Sequence, residues 1–153
     1  MIREEDGQTG YGELFEVNET GTAIAITTGG SPSGTFYPWV TATPGNVDGF
    51  YVTASGSYLV IGEAGTGVYD VRVHVSHNGV QEREYQMAVH VNGRRLDHIR
   101  ADQWFKTEGN DNTTAFGGLV RLLPGDAVGL RFSCSASGTS ITVKHVNLSI
   151  RRL

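Results

Sequence analysis

The sequence predicts an all-β domain of about ten short antiparallel strands, and three observations carry that prediction. Apolar residues alternate with polar ones in runs of five to nine, each bounded by Gly, Pro, Asn or Asp. Glycine supplies 21 of 153 residues, roughly twice its usual share, and charged residues only 18%, below the roughly 25% of an average domain. Helical periodicity is hard to find anywhere. A chain of this length can bury a real core in one domain without disulfides or metals, and it divides into a polar arm over residues 1–10 and a single domain over 11–153.

Taken in order, the arm begins Met1-Ile2-Arg3-Glu4-Glu5-Asp6, and Ile2, Arg3, Glu4 and Glu5 are its candidate docking residues. Tyr11 to Val17 and Thr22 to Thr27 read as short strands, followed by a loop from Gly29 to Gly34. Phe36, Tyr37 and Trp39 then flank Pro38, an aromatic cluster that either covers one end of the sandwich or belongs to an interface. Phe50-Tyr51-Val52 and Ser57 to Ile61 are apolar on both faces, so each needs a second covering surface, from the same chain or a neighbouring subunit. Tyr69, Val71, Val73 and Val75 share one face of a strand whose other face carries Asp70, Arg72 and His74, up to the Asn78-Gly79 turn. Tyr85, Met87, Val89 and Val91 repeat the pattern against Gln86, Ala88 and His90, and Asn92-Gly93 closes a hairpin. Leu119 to Leu123, the Pro124-Gly125-Asp126 turn and Val128, Leu130 and Phe132 form the next antiparallel pair, with Arg131 facing out. In the last strand Ile141 and Val143 have one parity and Val146, Leu148 and Ile150 the other, so a β-bulge is expected near Lys144-His145.

The chemistry that the composition excludes is as informative. A net charge of −4 leaves no basic footprint for a phosphate backbone, so no nucleic-acid partner is expected. No stretch approaches the roughly 18 apolar residues of a membrane span, and the acidic start lacks the basic and apolar regions of a signal peptide, so a chain kept in the cytoplasm is expected. Asn18, Asn112 and Asn147 head N-x-Ser/Thr triplets, which carry no weight without secretion. Cys134 is alone and reads as small apolar filler. The histidines show no H-x-H or H-E-x-x-H spacing, and no G-x-S-x-G elbow marks a nucleophile, so neither a metal, a cofactor nor catalysis is expected. Glu108, Asn110, Asp111 and Asn112 are oxygen donors without the spacing of a calcium loop. Asp97, Asp102, Glu82 and Glu84 stand among arginines as exposed ion pairs of small worth. Trp104 and Phe105 read as part of a loop and are candidates for stacking on a sugar ring, against a packing role.

From Gly56 onward the order of motifs is recognisable. Gly56-Ser57-Tyr58-Leu59-Val60 is followed by Met87 to Gly93, by Gly117-Gly118-Leu119-Val120-Arg121-Leu122-Leu123-Pro124-Gly125-Asp126-Ala127-Val128, and by Val146-Asn147-Leu148-Ser149-Ile150. Over roughly residues 48–153 this resembles the tumour-necrosis-factor and complement globular-head superfamily, and within it the small phage-encoded virion members. The resemblance implies a ten-stranded jelly roll of two packed antiparallel sheets, assembled as a compact homotrimer. By analogy it puts Tyr58, Val60, Leu148, Ile150 and Leu153 at the trimer interface. The collagen or membrane stalk usual in animal members has no counterpart here, so receptor signalling is not carried over.

The expectation is therefore a non-enzymatic virion protein, assembled in the host cytoplasm. In the first form it is a homotrimeric capsid decoration or cement protein that binds the major capsid protein or another virion protein and stabilises the head. In the second it is the knob of a tail or head fibre that holds a surface receptor or glycan.

Overall fold

A computed structural model describes residues 10–30, 35–105 and 111–153. They form eleven strands and no helix: β1 Tyr11–Ile26, β2 Tyr37–Pro38, β3 Thr43–Val47, β4 Val52–Ser55, β5 Tyr58–Ile61, β6 Gly67–Gly79, β7 Arg83–Val91, β8 Arg94–Phe105, β9 Asn112–Leu122, β10 Ala127–Cys134 and β11 Thr139–Arg152. Two antiparallel sheets result. Sheet I has the order β3-β1-β11-β6-β9; sheet II has the order β4-β5-β10-β7-β8, with β2 added beside β10. First and last strands thus pair within sheet I, the hairpins β4-β5 and β7-β8 lie in sheet II, and the other consecutive strands alternate between the sheets, the winding of a jelly roll.

The alternation in the sequence decides what faces the core. Tyr69, Val71, Val73 and Val75 of β6 face Tyr85, Met87, Val89 and Val91 of β7 across the sandwich, and all are buried. Leu130 and Phe132 of β10 and Ile141, Val143, Val146, Leu148 and Ile150 of β11 complete the layer. The side-chain phase of β11 slips between Val143 and His145, where its pairing with β6 shifts register, as the sequence predicts. The strand beside it breaks step at the same level: β1 shifts between Val17 and Thr22, so the two predicted short strands are one long strand with an interruption. Asn18 holds that interruption, its Oδ1 accepting from the N–H of Thr20 and of Gly21 at 3.2 Å each. The hairpin between β7 and β8 turns at Asn92 and Gly93, both with positive φ, 53° and 79°, the geometry for which Asn-Gly is suited.

The aromatic cluster after the first loop serves its own chain. Trp39 is buried and donates from Nε1 to Glu16 Oε1 at 2.7 Å; Thr41 and Thr22 donate to the same carboxylate, so this interior acid is fully partnered. The Tyr37 hydroxyl binds Thr27 Oγ1 and accepts from the Thr28 N–H. Phe36 lies against His90, ring centres 5.4 Å apart. Gln86, Ala88 and His90, expected to face water, are consequently buried as well. Next to His90 across the ladder, Tyr58 lies on Gly129, where a Cβ would come within 2.8 Å of its ring. Over β7 and β10 the outer face of sheet II is therefore closed by the chain itself, whereas Trp104 and Asp102 of β8 and Thr53 and Ser55 of β4 stay exposed.

Candidate functional site: the outer face of sheet I

Among the described residues nothing covers sheet I in this way, and its outer face is a lattice fixed by strand register. One row across β1, β11, β6 and β9 reads Tyr11, Arg151, Asp70, Leu119; the next Glu13, Ser149, Arg72, Gly117; then Phe15, Asn147, His74, Ala115; then Val17, His145, Ser76, Thr113. Each is the outward partner of a core residue one position away, because strand side chains alternate. Small side chains at Ala115 and Gly117 leave a hollow of about 700 Å³ walled by Arg72, His74, Phe116, Leu119 and Asn147. A ridge of Asp70 and Arg72 separates it from a second hollow of about 410 Å³ beside Tyr11, Glu13 and Arg151.

Several of the charges on this face are tied to a neighbour. Arg72 grips Asp70 with two bonds of 3.1 Å, and that partner raises the guanidinium further above its ordinary pKa. Asn147 donates to Glu13 at 2.8 Å, Lys144 to Asp111 at 3.0 Å, and His145 pairs with Glu19 at 2.9 Å. Among the described residues Arg151 and Arg121 have no counter-ion on this face, and apolar side chains are open beside them: Leu119 is 54% exposed, and Tyr11, Val17 and Val68 also stand open. A wide surface of neutralised pairs, hollows and exposed aliphatic side chains is built to be packed against. Among the described residues no three His, Cys, Asp or Glu side chains converge on it.

The two histidines with strongly shifted pKa values lie elsewhere. His77 is inside the sandwich, stacked on Phe105 at 5.1 Å and bonded through Nε2 to Thr114 Oγ1 at 2.8 Å; burial holds its pKa down at about 4. His90, under Phe36, is likewise lowered to about 4, by burial and, against the bond to the Ala88 carbonyl, by Arg131 and Arg95.

The structure does not bring the sequence-predicted interface residues together. Leu148 and Ile150 are core residues, 0% and 2% exposed, already covered within one chain. Tyr58 and Val60 are half-buried on the outer side of sheet II, and Leu153 is exposed beside Val68, at the end of the sandwich that carries Gly10. Phe105 corrects the predicted ligand loop: it ends β8 pointing inward, packed on His77 and Tyr85. Trp104, one position earlier, has the opposite parity and is 54% exposed. Ile2, Arg3, Glu4 and Glu5 lie outside the described residues. The face that sequence reasoning missed had one legible signal, the outward set Asp70, Arg72 and His74 opposite the small residues Ala115 and Gly117.

No protein-family model matches the sequence, and no curated protein matches it. Solved structures do. The Eiger TNF of S. frugiperda superposes with a TM-score of 0.68 over 95% of this chain and 94% of its own, at 14% identity. Murine APRIL at pH 8.5 superposes with a TM-score of 0.62 over 95% of this chain and all of its own, at 16% identity. The likeness establishes the fold: this chain is a TNF-like jelly roll.

Proposed function

We propose that the chain is a non-enzymatic assembly module that works as a homotrimer, with the outer face of sheet I as the surface copies share. The observation that carries this is the contrast between a sheet II closed over β7 and β10 and an open, hollowed sheet I with Leu119 exposed in it. Within that class we read it as a virion protein, a capsid decoration or cement protein seated on the major capsid protein or another virion protein. The order of motifs over residues 48–153, which resembles small phage virion members, supports the finer reading. A three-fold base touches several shell subunits at once, so contacts that are weak singly add through multivalency. Binding only the assembled shell stabilises it by mass action.

Solution mass by light scattering tests the assembly: a mass near three chains of 16.5 kDa is expected, and a monomer contradicts it. Removal of residues 2–9 tests the docking arm. The cut stops short of Gly10, whose carbonyl accepts from the Arg152 N–H at 2.7 Å. The truncated protein is expected to keep its mass and lose capsid attachment; undiminished attachment contradicts the arm's role. The second reading, a fibre knob that holds a host receptor or glycan, is favoured by one observation, the exposed indole of Trp104.

A further inference from the structure

We infer that the end of the sandwich carrying Phe50, Val68, Leu123 and Leu153 is the seat that docks on the shell, and that it takes an apolar ridge bordered by acidic side chains on the shell protein; the inference rests on the shell-docking reading. The turns 48–51, 62–66 and 123–126 come together at this end with Leu153, and their contacts close a ring. Phe50 packs edge-on against Tyr51, ring centres 4.8 Å apart, and Tyr51 lies under the Arg152 guanidinium at 5.3 Å. The Tyr51 carbonyl accepts from the Gly62 N–H at 2.8 Å, and the Ile61 carbonyl accepts from the Gly125 N–H at 2.8 Å, which brings the Leu123 turn alongside. Gly67 pairs with Leu122, and the Leu153 N–H donates to the Val68 carbonyl at 2.9 Å. Around this ring Phe50 is 65%, Leu123 51% and Leu153 68% exposed, and Val68 is open as well. At the opposite end, the turns 27–30, 80–82 and 135–138 expose no large apolar side chain.

The turns that present these side chains are fixed by carboxylates bonded to the chain itself. Asp48 accepts from the N–H of Phe50, Tyr51 and Val52 through Oδ1 and from that of Tyr11 through Oδ2. Asp126 accepts from the Leu123 N–H at 2.8 Å and from Asn92 Nδ2 at 2.9 Å. Side chains of this type hold turns by such bonds, so Phe50 and Leu123 are held outward rather than left loose. The arginines are disposed differently. Arg121 and Arg151, on the rim shared with sheet I, are exposed and have no counter-ion among the described residues, while Glu63 is the acid exposed nearby. Apolar tips beside outward cations fit a partner with an apolar centre and an acidic border, the usual layout of a protein contact. Gly10, where the candidate docking arm joins the domain, belongs to the same end, its carbonyl accepting from the Arg152 N–H at 2.7 Å. Arm and seat therefore face one partner.

Co-sedimentation of the intact protein with shells assembled from the major capsid protein tests the seat, with light scattering on each variant beside it. F50S and L123S are each expected to weaken attachment by about tenfold or more, the loss typical of a central apolar contact, and to keep the wild-type mass. V40S removes an apolar side chain that is 69% exposed away from this end, and it is expected to attach as the wild type does. Poly-L-glutamate, standing in for the partner's acidic border, is expected to compete with the shells. Unchanged attachment of F50S and L123S overturns the seat and leaves the shell-docking reading standing; a wild-type protein that attaches to no shell overturns both. A lowered mass in F50S or L123S would make the ring a contact between copies, and an equal loss in V40S would make the effect one of general exposure. Failure of poly-L-glutamate to compete would remove the acidic border, and each of these three results overturns the inference. So does F50S-sensitive binding to vesicles of phosphatidylcholine and phosphatidylglycerol in place of shells, which would make this end a membrane contact.

Discussion

The two outer faces of this sandwich start from similar sequence and end differently. Along β6 the outward residues are Asp70, Arg72 and His74; along β7 they are Gln86, Ala88 and His90. Both sets read as wet faces of half-buried strands. On sheet II, Phe36 and Tyr58 lie over the strands, and His90 pays for its burial with a pKa near 4. On sheet I nothing in the described chain does so, and Leu119 remains open beside a hollow. Strand alternation tells which residues leave the core, but another segment, or another chain, decides whether they meet water.

The sharpest way to break that comparison is to move a residue from the interface column to the core column. Leu148 is a core residue here, so Leu148→Ala is expected to cost about 2–5 kcal/mol in denaturant unfolding. Retained stability with loss of assembly would return it to an interface. Next in size is the pH response of the closed parts. His77 and His90 have folded values near 4 against an ordinary 6.5, so the unfolded chain takes up these protons first. Stability present above pH 6.5 is therefore lost as pH falls toward about 4, by up to about 1.4 kcal/mol per pH unit for each ring. The slope is expected to shrink in His90→Gln; an unchanged slope removes His90 from the account. The smallest expected effect on stability is the most diagnostic of function. Phe36→Ala should destabilise the chain by about 1–3 kcal/mol because it uncovers His90, whereas Leu119→Ser should stay within about 0.5 kcal/mol and instead lower the solution mass.

Much of the core was legible in the sequence. The interior sets of β6, β7 and β10 follow from alternation, and the bulge in β11 follows from the change of parity at Lys144-His145. β8 was not legible, because its charged residues guard an edge and hide the alternation that ends in Trp104 outward and Phe105 inward. β3 carries Pro44 and Gly45, which suit an edge strand and read as a loop. Leu148 and Ile150 face the core for a different reason: position along a family's pattern says which strand lies near a shared surface, while parity within the strand decides which side chains reach it. The cover over His90 and the hollow beside Gly117 are long-range arrangements, and no local run of residues announces either.

The measurement that bears most directly on the central claim is the mass of wild-type protein and Leu119→Arg by light scattering at equal concentration. Assembly through sheet I predicts about three chains for the wild type and a smaller mass for the variant, with unfolding unchanged. A wild-type monomer, or a trimer that Leu119→Arg leaves intact, would contradict the assignment of the open face.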